Sequence, residues 1–273
     1  MVGTIGTVAS NQLTQEYTRI LSQSNVTYSG VRPSYINQLK QDTLVKSLKQ
    51  DGSWNFIDVL YILANDDATG NFALLNWTNP SLYSLTRTNS PGFILNRGYT
   101  SAGSIGFLSS SWAPSNGINF QQNTASFGCM IYNAPLAVGS ASIGTSGTAQ
   151  SQVYMLPRVV STYRTTLNNA TSNASTVPQN FMDRRVLGVF RSSSVNYEQF
   201  YPSSSIADGF SIPNLSMTSS ARTTQQINIL SAFTTTRLYG GTNTASMAWF
   251  GGYEIRNRLT TFTSSMTTYI NSI

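Results

Sequence analysis

The chain has 273 residues, no histidine, one cysteine, 16 basic and 10 acidic side chains, and a formal charge of +6. Charged residues make up 10% of it, against about 25% in an ordinary globular domain. Acid–base catalysis, metal ligation and thiol chemistry all draw on the scarce types, so the composition points away from enzymes and toward a neutral, hydrogen-bonding surface.

The helical pattern comes first. Gln12 to Ser22 carries Leu13, Tyr17, Ile20 and Leu21 on one face, the spacing of an amphipathic helix. Pro33-Ser34 opens a second helix running to Gln50, with Ile36, Leu39, Leu44 and Leu48, and Gly52 closes it as a C′ residue. Ser53 or Asn55 caps an expected third helix through Ile57, Leu60, Tyr61 and Ala64, ending at Asn65-Asp66-Asp67. All three lysines, Lys40, Lys46 and Lys49, lie in this part of the chain.

From Phe72 the pattern changes to short runs of β-branched and aromatic residues between Gly, Pro, Asn and Ser turns. Strands are expected at 82–86, 92–95, 105–108, 126–132, 152–155, 186–191, 196–201, 227–233 and 247–256, with 167–179 as a long loop or meander. Such spacing without intervening helices predicts antiparallel sheets packed as a sandwich or jelly roll. Leu259, Phe262, Met266, Tyr269 and Ile270 predict a closing helix, capped by Thr260 or Thr261.

Constellations for catalysis are missing. Without histidine there is no Ser-His-Asp triad and no HExxH zinc site, and no lysine follows residue 49 to complete a phosphate loop. Glycoside hydrolysis needs only two carboxylates; Glu198 and Glu254, both in strand-like runs, are the pair that a facing arrangement would use. Cys129 lies in the apolar run Phe127 to Tyr132 and reads as a buried, inert thiol; alone it makes no internal disulfide. The arginines are scattered, with Arg184-Arg185 the only adjacent pair, so no nucleic-acid stripe is read. Met1 to Thr7 has neither a basic start nor a long apolar stretch, which is not a secretory leader. No run reaches the roughly 18 apolar residues of a membrane helix.

Aromatic side chains remain as ligand candidates, because a sugar ring lays its C–H face on an aromatic plane. Trp112 stands in a turn-rich run, Arg97 and Tyr99 are close to one another in sequence, and Tyr239 precedes two glycines. Each has an ordinary alternative as a sandwich-edge packing residue or an inter-subunit contact. Trp54 and Trp249 read as core.

Several phrases in order resemble bacteriophage virion proteins with a concanavalin A-like, laminin G-like sandwich. They are the helix Tyr35–Lys49, Asp51-Gly52-Ser53-Trp54 leading to Ile57-Asp58-Val59-Leu60-Tyr61, Leu75-Asn76-Trp77, Phe93, Asn96-Arg97-Gly98-Tyr99, Ala113 to Gly117, and Ala248–Ile255. The resemblance spans roughly residues 31–273. It implies a tail-fibre, spike or other exterior module, often trimeric and sometimes sugar-binding. The calcium-binding carboxylates of many laminin G domains do not stand out, so no metal or other cofactor is expected.

The expected fold is therefore mainly β: an antiparallel jelly-roll sandwich preceded by N-terminal helices and closed by a short C-terminal helix. Residues 1–30 are expected as an attachment or stem segment, 31–70 as a helical segment on the sandwich, and 71–273 as the sandwich with its last helix. The expected function is non-enzymatic: a virion exterior protein, made in the host cytoplasm, that contacts other virion proteins and a host-surface glycan. It would act as a homo-oligomer, a trimer favoured, without nucleic-acid binding or membrane insertion. The alternatives are a glycan-cleaving depolymerase and a secreted carbohydrate-binding module.

Overall fold

Thr14 and Ser34 each turn a side-chain oxygen back onto a free amide of the following helix, accepting from Tyr17 N and Asn37 N, the usual way a helix start satisfies its open donors. They open α1 (Gln15–Tyr28) and α2 (Tyr35–Gln50). Gly52, at φ 79°, ends the second as expected. The computed structural model describes residues 12–101, 106–133, 142–145, 152–159, 162–169, 173–176, 184–202, 210–211, 214–233, 238–240 and 243–273.

The expected third helix is a strand, β1 (Ile57–Ile62), preceded by a 3-10 turn over Ser53–Phe56. From Val59 its apolar run is continuous because the strand is buried on both faces, and periodicity alone cannot separate such a strand from a buried helix. Val59, Tyr61 and Leu63 enter one core, while Leu60, Ile62 and Ala64 enter another.

After β1 come β2 (Leu85–Thr88), β3 (Gly92–Ile94), β4 (Gly98–Thr100), β5 (Phe107–Ser110) and β6 (Ala125–Asn133). Then come β7 (Ile143–Thr145), β8 (Gln152–Val159), β9 (Thr162–Asn169), β10 (Asn173–Thr176), β11 (Arg185–Arg191) and β12 (Asn196–Pro202). Next are β13 (Phe210–Ser211), β14 (Asn214–Ser216), β15 (Ile227–Ile229), β16 (Ser231–Phe233), β17 (Leu238–Gly240) and β18 (Thr244–Gly251). The chain closes in α3 (Leu259–Ser272).

Three of the sequence expectations need adjusting. The stretch taken as a loop from Leu167 contains the end of β9 and all of β10. The strand expected over 227–233 breaks at Leu230, whose φ is 72°. The strand expected to reach Arg256 stops at Gly251 and gives way to a 3-10 turn, Tyr253–Arg258. That turn makes Arg258 the first cap of α3, without a side-chain bond.

All strand pairings among the described residues are antiparallel. A nine-stranded sheet runs β13-β12-β11-β6-β18-β4-β3, with β1 also on β18 and β14 on β12; a seven-stranded sheet runs β10-β9-β8-β7-β15-β5-β2. Between them Phe127, Cys129, Leu187, Val189 and Phe250 of the larger sheet meet Leu108, Ile143, Val153, Met155, Leu167 and Ile229 of the smaller. Burying one such side chain contributes about 1.5–3 kcal/mol. The fold is thus a β-sandwich with N-terminal helices and a C-terminal helix.

The other face of the larger sheet is also covered. Met130, Val186, Phe200, Met247 and Trp249 pack against Leu44 and Leu48 of α2 and Phe262, Met266 and Ile270 of α3. The large sheet is therefore the middle of three layers, and β1 belongs to it, so the sandwich begins ahead of residue 71. Gly188 of β11 stands opposite Gly128 of β6. The rings of Phe200 and Trp249 occupy the space that side chains there would need.

Candidate functional site

The sequence-selected aromatic residues do not form a surface platform. Trp112 follows β5 and is 1% exposed. Its amide donates to Ser110 Oγ, and its ring packs on Phe120 and Phe250 at centroid distances of 5.6 and 5.0 Å. Tyr99, on β4, is fully buried. Its hydroxyl donates to the Gly70 carbonyl and accepts from Arg87 Nε at 2.8 Å. Burial raises its pKa against the opposing pull of Arg87. Neither ring can lie under a sugar, because both are core material whose turn-like sequence context hid their burial. Tyr239 lies on β17 opposite Ala232, and its side chain falls outside what is described.

Most of the described acidic residues are tied into the fold. Asp58 of β1 accepts from the amides of Asn119 and Phe120 and from the Asn119 side chain, pinning the 116–120 loop. Asp67 accepts from Thr69 N and Phe72 N, and Asp66 from Ser34 N. Asp42 accepts from both the amide and hydroxyl of Thr14 and pairs with Lys46 at 2.7 Å. Glu16 pairs with Lys49. Glu198, one half of the carboxylate pair considered for glycoside cleavage, is held by Arg256 Nε at 2.6 Å. Glu254, the other half, sits in the 3-10 turn after β18 with its carboxylate beside Gly252. Among the described residues no group of three or more His, Cys, Asp or Glu gathers to hold a metal. No described helix is long and apolar enough to cross a membrane.

Arg97 does lie at the surface, and the topology gives it two partners that the sequence did not link to it. It sits in the β3–β4 turn, fixed by Asn96 at φ 58° and by three hydrogen bonds: Asn96 N to Asn65 O, Arg97 N to Ile94 O, and Ser246 Oγ to Arg97 O. Its guanidinium carbon stands 5.0 Å from the ring centre of Tyr132, near the end of β6. Arg184, just before β11, stands 4.6 Å from the same ring and donates to its hydroxyl at 2.7 Å. Both arginines are exposed and Tyr132 is half-buried. The pairing of β18 with both β4 and β6, and of β6 with β11, brings the three together. Sequence separations of 35 to 87 residues left no local signal for it.

Two planar cations on one ring form a cation–π arrangement that presents N–H donors to solvent and is suited to a carboxylate or phosphate oxygen. A second surface feature is an open groove of about 350 Å³ between α2 and α3, lined by Lys40, Thr43, Ser47, Ser264, Thr268 and Ser272. There the Lys40 amine donates to the Ser272 carbonyl, so its cation is engaged within the protein.

The fold defines the class: an antiparallel β-sandwich with helices over the outer face of its larger sheet. No protein-family model and no curated protein matches the chain. Among solved structures, domain 4 of AbnA, a GH43 extracellular arabinanase from Geobacillus stearothermophilus in complex with arabinotriose, is similar at 9% identity and TM-score 0.43. The match covers 79% of this chain and 98% of that one. So loose a likeness bears on neither the site nor the activity.

Proposed function

We propose that this protein is a non-enzymatic structural component of a bacteriophage particle, placed on the exterior in a tail or head appendage. It assembles with other virion proteins as a homo-oligomer, a trimer favoured, and contacts a host-surface glycan. One observation supports the non-enzymatic reading most: Asp42, Asp58, Asp66, Asp67, Glu16 and Glu198 are each bound to an amide, hydroxyl or cation of the fold itself. Carboxylates tied in this way hold loops and helices in place. The virion setting rests on the resemblance of the ordered phrases to phage sandwich proteins.

The test is direct. Particles purified from a lysate and dissociated should yield this chain by mass spectrometry in copies that are a multiple of three, and the isolated protein should scatter light as a trimer. Its absence from washed particles would remove the virion reading. New reducing ends released from host capsule or lipopolysaccharide would overturn the non-enzymatic one in favour of a depolymerase.

A further inference from the structure

We infer that the Arg97–Tyr132–Arg184 stack is an oxyanion-binding site that selects acidic over neutral glycans. This rests on the glycan-contact reading and names the ligand class. Placed 5.0 and 4.6 Å from one ring centre, the two guanidinium carbons lie no more than about 10 Å apart, about one Debye length at 0.1 M salt, so each feels the other's charge. Among the described residues neither is paired with a carboxylate.

The arrangement is held at a cost. Arg184 has φ 53°, a left-handed backbone that is unfavourable for an arginine; Asn96, which aims Arg97, takes its φ of 58° readily. Two like charges kept together on a fixed turn and a strand end form a ready counterpart for an anion, because little ordering is left to be lost on binding. The oxyanion is a sugar carboxylate or a phosphodiester in a glycan polymer, both of which offer paired oxygens to a guanidinium fork.

Binding of the full-length protein to polygalacturonate and to poly(glycerol phosphate) is measured by biolayer interferometry at 50 and 300 mM salt, with neutral dextran and duplex DNA as comparators. Both anionic polymers should bind, and the tighter of the two identifies the source of the oxyanion. Arg97→Gln and Arg184→Gln should each weaken binding about tenfold, as expected for loss of a charge-assisted hydrogen bond, and the effect should shrink at 300 mM salt. Arg164→Gln, exposed on β9 of the other sheet, should change nothing. Tyr132→Phe keeps the ring and loses the hydroxyl that Arg184 donates to, and should weaken binding less than either arginine change. Equal loss with Arg164→Gln, or DNA binding as tight as the glycans, would overturn the inference in favour of unspecific charge. Binding to dextran alone would overturn the inference and leave the glycan-contact reading standing. Silence on all four polymers would overturn both, leaving the assembly role to the particle test.

Discussion

Gly188→Ala tests the packing of the middle layer most sharply. A Cβ built at Gly188 falls well inside 3.0 Å of the Phe200 ring and also close to the Phe127 carbonyl, a separation that real Cβ atoms essentially never show. Phe200 cannot swing aside freely, because it stacks on Phe190 at 5.0 Å and lies 6.1 Å from Trp249, itself under Phe262 of α3. Overpacking a close-packed core costs typically 1–3 kcal/mol, and a site walled by rings and a ladder carbonyl belongs at the top of that range, about 3 kcal/mol. With about 2.1 cal/mol/K of unfolding entropy per residue over 273 residues, the loss is a fall of about 5 °C in Tm. Calorimetry on Gly188→Ala, Phe200→Leu and the double variant would measure it. The smaller leucine should recover about 1–2 kcal/mol in the double, the coupling expected for residues in direct contact. Gly92→Ala, whose Cβ meets the Thr100 methyl at 3.2 Å and the Thr100 carbonyl at 3.9 Å, should shift Tm by less than about 1 °C. Strictly additive effects, or a Gly188→Ala protein as stable as the parent, would refute the account of the ring-filled floor.

Other expectations follow from contacts already described. Burial pushes the Cys129 thiol up to about 12, so it should resist a disulfide reagent at pH 8 in the native protein and react fully in guanidinium; rapid native labelling would contradict its place in the core. Asp58→Ala leaves the amides of Asn119 and Phe120 unpaired, a loss of about 1–3 kcal/mol, and limited proteolysis should then cut first within 116–120. Burial disfavours the Asp42 carboxylate, but Lys46 and Thr14 outweigh it and hold the carboxyl below its ordinary 3.8. That stabilisation is therefore present above the unfolded carboxylate's pKa and lost as the pH falls through the folded value. Amides of α1 should lose hydrogen-exchange protection ahead of those of α2 on acidification, and Asp42→Asn should flatten the difference.

Sequence patterns located the elements wherever a single face is buried. The starts of α1 and α2, the Gly52 stop and the amphipathic face of α3 all follow local rules of capping and period. They failed at β1, one of the strands buried on both faces: Ile57 to Ile62 reads equally as helix or strand, and only the pairing with β18 decides. The turn-rich setting of Trp112 suggested exposure because serines and a proline flank it, yet Ser110 and the loop pinned by Asp58 fold over it. Arg97 stood out from the Asn-Arg-Gly turn, but Tyr132 and Arg184 become its neighbours only through strand order, which no local pattern encodes.

The larger sheet sends alternate residues of β1, β6, β11 and β18 into two separate interiors, and this ties the fates of those interiors together. Neither can loosen without withdrawing a wall from the other. The helical cover and the sandwich beneath it should then melt in a single step, with circular dichroism and tryptophan fluorescence tracing one curve, although the amino-acid pattern divides the chain in two.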